Sequence, residues 1–294
     1  MKNLRIVIGI PAYNEEKNIG SIIIQLKKIT DHVLVCDDGS HDSTPEIAEG
    51  LGAVVVKHEG NKGYGAAIKT IFSKGREMKA DILVTFDSDG QHRTIDIKKV
   101  IEPIIAKQAD MVIGSRFLNN ETKIPKYREI GMKTITKFTN ITGGTKVADS
   151  QSGFRAYNKK ILENIHPTES GMGISTEILI KIQKAGYKII EVPIKILYEG
   201  ETSTHNPISH GSSVIISTLK LVAIERPLSF YGIPGIICFC VGLFFGIWEV
   251  QIFLEQDAFV TNIALVAGIG IILGVILLIT ATILHSIASI VREK

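Results

Sequence analysis

The chain of 294 residues has few of the features that define several common protein classes. Its three cysteines, Cys36, Cys238 and Cys240, are odd in number and lie in apolar segments, which predicts buried thiols and no disulfide framework. The formal net charge of only +3 argues against nucleic acid as a partner. The sequence also lacks the G-x-G-x-x-G dinucleotide fingerprint and the G-x-x-x-x-G-K-[ST] phosphate loop, so a dehydrogenase and an NTPase are disfavoured.

Lysine and arginine are absent from one long C-terminal stretch, between Pro227 and Val291. Within it, residues 227–248 contain no charge, and residues 258–291 contain His285 as their only ionisable side chain. About 20 apolar residues in a helix cross the hydrocarbon core of a bilayer. We therefore predict two transmembrane helices, at about residues 229–251 and 260–287 of a 227–294 membrane domain, joined by a short acidic turn. The alternative is a pair of buried helices in a soluble core.

Basic residues flank the two predicted spans and are missing from the turn between them. The positive-inside rule then places both termini and the preceding domain in the cytoplasm, and makes the chain an integral membrane protein with two spans. Glycines spaced four apart in each span allow close helix pairing, either within the chain or between copies in a homo-oligomer. The flanking residues are Lys220, Arg226, Arg292 and Lys294, and the glycine pairs are Gly242/Gly246 and Gly270/Gly274.

The preceding domain, residues 1–210, alternates short Val- and Ile-rich segments with helix-compatible stretches. This alternation predicts an α/β fold with a mainly parallel sheet and helices on both faces. The predicted strands are residues 5–10, 32–36, 53–56, 82–86 and 111–113, and the predicted helices are residues 15–28, 43–51, 64–76 and 94–107. Residues 211–226, mostly apolar, are predicted to form an interfacial juxtamembrane helix.

Polar residues follow the predicted strands, where ligands bind in parallel sheets. Helix capping can explain Asn14 and Ser43, but Asp38, Asp87 and Asp89 would bring uncompensated negative charges to one crevice, which calls for a cation. Asp87 and Asp89 lie two residues apart at a strand end, so both carboxylates can face the same side. With the amide of Gln91 they offer only oxygen ligands, which suits Mg²⁺ or Mn²⁺.

Six segments in this order resemble family 2 glycosyltransferases of the dolichyl-phosphate sugar synthase type, similar to dolichol-phosphate mannosyltransferases. They are PAYNEE (11–16), DDGSHDST (37–44), GNKGYGAA (60–67), DSDGQH (87–92), GSR (114–116) and DSQSGFRAY (149–157). The resemblance covers about residues 5–225. It implies a GT-A catalytic domain, which is Rossmann-like with a mostly parallel sheet and binds a nucleotide diphosphate sugar and a divalent ion.

The resemblance also implies roles for the matching positions. The sugar donor would bind at Pro11, Ala12, Tyr13, Glu15, Cys36, Asp38, Asp87, Ser88 and Gly90. Asp87, Asp89 and Gln91 would hold the metal, Asp89 and Arg116 would be catalytic, and Arg116, Arg128 and Ser203 would bind the acceptor phosphate.

The implied reaction is inverting transfer of a monosaccharide to polyprenyl (dolichyl) phosphate at the lipid bilayer, giving a lipid-phosphate-linked sugar for glycosylation. Family members that glycosylate hydroxyls have a Thr-Glu-Asp sequence whose Asp is the base, and Ile178 takes that place here. A phosphate monoester is already largely anionic at neutral pH, so a missing base favours a phosphate acceptor.

Trp248, the only tryptophan, lies in a predicted span, so the Gln-x-x-Arg-Trp motif of polysaccharide synthases is absent. A hydroxyl-directed glycosyltransferase and a non-catalytic nucleotide-sugar-binding scaffold remain as alternatives.

One segment departs from the mannosyl members. Where they have Gly-Glu-Ser-Lys with a nearby Arg, this chain keeps Ser203 but has Thr204 for the Lys and no Arg nearby, and His205 or His210 could supply a donor to phosphate. A UDP-hexose or UDP-N-acetylhexosamine donor is therefore expected at least as much as GDP-mannose. Residues 123–141 mix lysines and arginines with apolar residues about every third position, which predicts a basic amphipathic helix at the membrane surface, or else an ordinary surface helix.

Overall fold

The computed structural model describes residues 4–118, 126–196, 223, 227–256 and 258–292, except the side chains at 126–128, 142 and 288–292. The chain divides into two compact units, Met1–Thr218 and Leu219–Lys294. The interfacial helix predicted at residues 211–226, and Ser203, Thr204, His205 and His210, lie outside the described residues, apart from Ala223. The same holds for the side chain of Arg128, so these predictions stay untested.

The first unit alternates strands and helices, as the sequence predicts. Its strands are β1 Ile6–Ala12, β2 His32–Asp37, β3 Val54–Lys57, β4 Ile82–Thr85, β5 Met111–Ser115, β6 Arg155–Asn158 and β7 Ile189–Pro193. Its helices are α1 Ile19–Leu26, α2 Thr44–Gly50, α3 Tyr64–Glu77, α4 Ile97–Ile105, α5 Lys126–Gly143, α6 Lys159–Asn164 and α7 Ile174–Lys184, with a 3₁₀ turn at Thr94–Asp96.

The strands form one sheet in the order β3-β2-β1-β4-β6-β5-β7. Every pairing is parallel except those of β6, which runs antiparallel between β4 and β5. The prediction of an α/β domain with a mostly parallel sheet is therefore confirmed. Because β6 separates β4 from β5, the segments that follow those two strands lie two strand spacings apart.

The sheet is buried on both faces. Along β1, Val7 packs in one apolar cluster with Leu34 and Leu83, whereas Ile8 packs in the other with Val33 and Val84. Successive side chains of a strand point to opposite faces, so a strand that is covered on both faces must be apolar throughout. This is why the central strands appear in the sequence as continuous runs of valine and isoleucine.

The second unit is a helical hairpin. A π-helical turn at Leu228–Gly232 leads into α8, Ile233–Gln256, and α9 spans Thr261–Arg292. Both helices are long and apolar enough to cross a membrane, and only 11% of each apolar stretch is buried in protein, which argues against the soluble-core alternative. Backbones meet at glycines: a Cβ on Gly242 would lie 2.5 Å from the amide nitrogen of Ile271. The glycine spacing thus serves pairing within the hairpin.

Candidate active site

The carboxyl ends of β1, β2, β4 and β5 bring four of the six sequence segments to one edge of the sheet. In open α/β sheets this edge forms the ligand crevice. Two of the four strand ends are tied together by a buried side chain, because the Ser88 hydroxyl donates a hydrogen bond to the carbonyl oxygen of Pro11 at 2.9 Å. Ser88 therefore fixes the segment after β4 against the end of β1, close to the predicted donor residue Ala12.

Asp38, predicted to bind the nucleoside, organises a neighbouring loop. Its buried carboxylate accepts hydrogen bonds from the backbone amides of Lys62 (3.0 Å) and Gly63 (2.7 Å) and contacts Nδ1 of His58 at 2.6 Å. Gly39, at φ +77°, packs so closely on Gly60 that a Cβ would lie 2.6 Å from the Gly60 carbonyl carbon. The GNKG loop is therefore built around Asp38, and its contact with a nucleoside stays a prediction.

Cys36 is fully buried at the end of β2. Burial, together with a smaller contribution from the Asp38 charge, raises the pKa of its thiol to about 12. The side chain therefore stays protonated and apolar at neutral pH, as the sequence predicts, and its Sγ lies 3.6 Å from Nε2 of His58. Such a thiol can line a pocket but is not a nucleophile.

Asp87 is contacted by the side chains of His92 and Tyr64. Nε2 of His92 lies 3.3 Å from its Oδ2, and the Tyr64 hydroxyl donates to its Oδ1 at 3.5 Å. Burial alone would raise the Asp87 pKa, but His92 and the charge of Arg116 together lower it below the usual value. Gly153 is required beside it, since a Cβ there would lie 2.6 Å from Oδ2 of Asp87. Asp87 is therefore an ionised carboxylate with a fixed orientation.

Asp89 has the opposite electrostatic balance. Burial raises its pKa, and the charge of Asp87 raises it further. Its Oδ1 accepts a hydrogen bond from the backbone amide of Gln91 at 3.0 Å, across a turn in which Gly90 has φ +73°. Glu15 after β1 also has a raised pKa, first from burial and in part from the charge of Asp89. The three carboxylates therefore repel one another within the crevice.

This donor set fits a divalent ion that is shared with a substrate. In the described part of the chain, no group of three or more His, Cys, Asp or Glu side chains is arranged to hold a metal by itself. Mg²⁺ is commonly held by one or two carboxylates and takes its other ligands from water and substrate phosphates. Asp87, Asp89 and the amide oxygen of Gln91 match that pattern, and a cation would relieve the repulsion that raises the Asp89 pKa.

Arg116 after β5 is clamped by a residue that the sequence analysis did not single out. Its Nε donates to Oδ2 of Asp149 and its Nη2 donates to Oδ1, both at 2.7 Å, and its backbone amide donates to Oδ2 at 3.1 Å. Asp149 is fully buried, and Arg116 outweighs the effect of burial to lower the Asp149 pKa. Glu191 of β7 accepts from the backbone amides of Ala148 (2.6 Å) and Asp149 (2.9 Å).

The start of α7 holds the segment in which hydroxyl-transferring members have their base. Ile178 is buried in the core. Glu177 is buried as well, and its carboxylate accepts from the backbone amides of Thr168 and Glu169, from the Thr168 hydroxyl and from Nζ of Lys181. Burial raises its pKa, but these donors outweigh burial and hold the pKa below the usual value. Glu177 is therefore an ionised structural anchor.

Sequence reasoning missed several residues because their role depends on long-range pairing. Arg155 is buried and donates to three backbone carbonyls, of Ser150, Ser152 and Ser175. Arg155 and Asp149 both belong to the DSQSGFRAY segment. This segment supplies most of β6 and the loop before it, and so lies beside the site. His92 belongs to the DSDGQH segment and was visible in the sequence, although nothing there indicated that it faces Asp87.

Comparison with known proteins agrees with this architecture. Residues 7–166 match the family model described as glycosyl transferase family 2. The UDP-N-acetylglucosamine–dolichyl-phosphate N-acetylglucosaminyltransferase of Methanococcus voltae is 37% identical over 74% of this chain and 93% of its own length. The dolichyl-phosphate hexose transferase of Haloferax volcanii is 33% identical over 76% of this chain and 96% of its own length.

Solved structures support the fold. Glucosyl-3-phosphoglycerate synthase from Mycobacterium tuberculosis, in complex with Mn²⁺, UDP-glucose and phosphoglyceric acid, superposes with a TM-score of 0.60 at 20% identity. The match covers 75% of this chain and 80% of that one. The sheet order with its antiparallel sixth strand, the carboxylate pair after β4 and the match to the family model lead to one conclusion. The chain belongs to glycosyl transferase family 2 and is a glycosyltransferase of the dolichyl-phosphate sugar synthase type with a GT-A-like domain.

Proposed function

We propose that the protein transfers a monosaccharide, with inversion at the anomeric carbon, from a nucleotide diphosphate sugar to a polyprenyl phosphate. The relatives from Methanococcus voltae and Haloferax volcanii, both named as transferases to dolichyl phosphate, support this acceptor. The product would be a lipid-phosphate-linked sugar, as used in glycosylation. The rival proposal is transfer to a hydroxyl of a lipid or glycan.

The observation that favours a phosphate acceptor is that neither Glu177 nor Ile178 offers a general base. A hydroxyl nucleophile needs a general base within hydrogen-bond reach. At the start of α7, Ile178 is buried in the core, and the Glu177 carboxylate is occupied by loop and Lys181 donors that keep its pKa low. A phosphate monoester has a second pKa near 6 and is largely dianionic at neutral pH, so it attacks without losing a proton.

The residues of the crevice would divide the work of binding and orientation. Asp87, Asp89 and Gln91 would hold Mg²⁺ or Mn²⁺, and the bound ion would neutralise charge on the departing nucleoside diphosphate. Tyr64 and His92 orient Asp87. Arg116, whose charge already acts on both Asp87 and Asp89, would add a fixed positive charge for phosphate oxygens.

The remaining donor and acceptor contacts are assigned by the matching segments. The nucleoside and diphosphate would lie along the ends of β1, β2 and β4, and the acceptor phosphate would meet Arg116. We assign the donor contacts to Pro11, Ala12, Tyr13, Glu15, Cys36, Asp38, Asp87, Ser88 and Gly90, and further acceptor contacts to Arg128 and Ser203. A UDP-linked hexose or N-acetylhexosamine is our first choice of donor, with GDP-mannose as the alternative.

The proposed domain plan follows from the same assignment. Residues 1–210 would form the catalytic domain, residues 211–226 an interfacial helix and residues 227–294 the membrane anchor. The flanking lysines and arginines favour a catalytic domain and termini on the cytoplasmic side. This plan would tether the catalytic domain to the bilayer that holds the acceptor.

A pair of matched acceptors tests the proposal. The purified protein in detergent is given labelled donor and Mn²⁺ with either polyprenyl phosphate or the corresponding free polyprenol. We expect label in a lipid product that mild acid releases, from the phosphate acceptor only, and an inverted anomeric configuration by NMR. Transfer to the free alcohol at an equal or higher rate would support the hydroxyl-acceptor proposal instead.

A further inference from the structure

Arg116 has a geometry that is unusual for a phosphate-binding arginine. Its Nε and Nη2 donate at 2.7 Å to Asp149, a carboxylate with no exposed surface, so the arginine already has a charge partner before any substrate binds. The side chain of Arg116 is 14% exposed, and its charge helps to lower the pKa of Asp87 and opposes in part the raised pKa of Asp89. Arg116 therefore acts electrostatically on Asp87 and Asp89 while its side chain is bonded to Asp149.

The sheet order shows where Arg116 would go without that clamp. Asp87 follows β4 and Arg116 follows β5, and only β6 lies between these strands. Two strand spacings of about 4.8 Å separate the strand ends by about 10 Å. An arginine side chain and a carboxylate together can close most of that gap. An Arg116 released from Asp149 would be attracted towards the negative charges of Asp87 and Asp89.

We propose that Asp149 is a positioning residue that holds Arg116 away from Asp87 and Asp89, so that the two carboxylates remain open to the divalent ion until the nucleotide diphosphate arrives. An Arg116–Asp87 ion pair would compete directly with the metal for the same oxygens. With Arg116 bonded to Asp149, the carboxylates bind the ion and Arg116 keeps the position in which it would meet the acceptor phosphate. The inference rests on the metal site of the proposed function.

A second carboxylate, that of Glu191, holds the loop that carries Asp149. Glu191 accepts hydrogen bonds from the backbone amides of Ala148 and Asp149, so β7 fixes the loop that presents Asp149 to Arg116. Burial raises the pKa of Glu191 and the neighbouring Asp149 charge adds to this, which shows that the two acids are close together. The carboxylates of Asp149 on this loop and Glu191 on β7 therefore lie close together, and Arg116 provides an opposing charge beside them.

The test measures metal binding and does not depend on turnover. Mn²⁺ binding to the full-length protein in detergent is followed by the EPR signal of the free ion, with and without UDP, against UDP alone. The variants are Asp149→Asn, Arg116→Gln and the double variant. Asp110→Asn is the matched control, because Asp110 lies at the opposite end of β5 and accepts from Asn158 and the backbone of Lys188. Thermal unfolding of each variant is recorded alongside.

We expect Asp149→Asn to raise the Mn²⁺ dissociation constant at least tenfold, and the double variant to return it to within threefold of Arg116→Gln. Asp110→Asn should bind Mn²⁺ like the wild type. If Asp149→Asn does not fold, Glu191→Gln releases the same loop more gently and should show the same weakening and the same rescue by Arg116→Gln. Unchanged binding in Asp149→Asn, or a double variant as weak as that single variant, would overturn the inference. Wild-type protein that binds no Mn²⁺ would instead contradict the proposed metal site.

Discussion

Replacing Glu177 with Gln distinguishes two possible roles of this residue, a structural anchor and a catalytic base. The Glu177 carboxylate accepts four hydrogen bonds from three donor groups of Thr168 and Glu169, at 2.6–3.1 Å, and pairs with Lys181. Glutamine has the same shape but keeps only one acceptor oxygen, so at least one buried N–H loses its partner at a cost of about 1–3 kcal/mol. The pair with Lys181, which is 30% exposed, adds at most about 1 kcal/mol.

The expected destabilisation is therefore about 3 kcal/mol. For a domain of this size, each kcal/mol lowers the Tm by about 2–4 °C, which gives a shift of about 6–12 °C. Circular dichroism during heating measures the shift, and turnover is measured well below the Tm of the variant. Lys181→Met is the control, because it removes the partly exposed partner and keeps the loop contacts, so its Tm should fall by less than about 4 °C.

The two roles of Glu177 predict opposite patterns. As an anchor, Glu177→Gln lowers the Tm and leaves kcat within about threefold of the wild type. As a general base, it would lower kcat by about a hundredfold or more, since proton transfer by a positioned side chain contributes about 10²–10⁴-fold. A kcat loss of that size at unchanged Tm would refute the structural account and return the hydroxyl acceptor to first place.

Three further changes test other parts of the account. Asp89→Ala should abolish turnover while leaving the Tm within a few degrees, because it removes a metal ligand, and full activity in that variant would remove Asp89 from the metal site. Gly242→Leu should push α8 away from α9, which would lengthen the distance between spin labels on the two helices. Gly268→Leu is the control and should leave that distance unchanged, because a Cβ at Gly268 meets nothing within 4 Å. An unchanged distance in Gly242→Leu would contradict the glycine-mediated packing. Asp149 and Glu177 have folded-state pKa values below their ordinary 3.8 and 4.5, so their stabilisation is complete above those values and is lost as the pH falls below them. Urea unfolding at pH 7 and pH 3.5 should show a larger loss in the wild type than in Glu177→Gln, and equal losses would contradict the Glu177 assignment, because the raised pKa values of Glu15, Asp89 and Glu191 act in both proteins.

The sequence predicted those elements whose signal is local. The five valine- and isoleucine-rich strands are found within about two residues of their predicted bounds, because burial on both faces of a sheet demands continuous apolar runs. The carboxylate pair after β4 was equally visible. Strands β6 and β7 were not predicted, since β6 is only Arg155–Asn158 and its short mixed sequence resembles a loop until its partners β4 and β5 are known.

The site residues that sequence reasoning missed act through contacts distant in sequence. Asp149 meets Arg116 across 33 residues, and Glu191 meets the backbone of Asp149 across 42. Nothing in the spacing of these residues indicates a contact, because the sheet order brings them together. Asp38 shows the converse case: its position after β2 predicted a ligand contact, and the structure adds the task of holding Lys62 and Gly63.

Metal-dependent transfer of a labelled sugar to polyprenyl phosphate tests the central claim most directly. The purified protein in detergent receives polyprenyl phosphate, Mg²⁺ or Mn²⁺, and radiolabelled UDP- and GDP-sugars in separate reactions, with EDTA and the Asp89→Ala variant as controls. The account predicts a mild-acid-labile lipid product from one donor, absent in both controls. Label that reaches only an added glycan, or a lipid product formed equally well in EDTA, would contradict it.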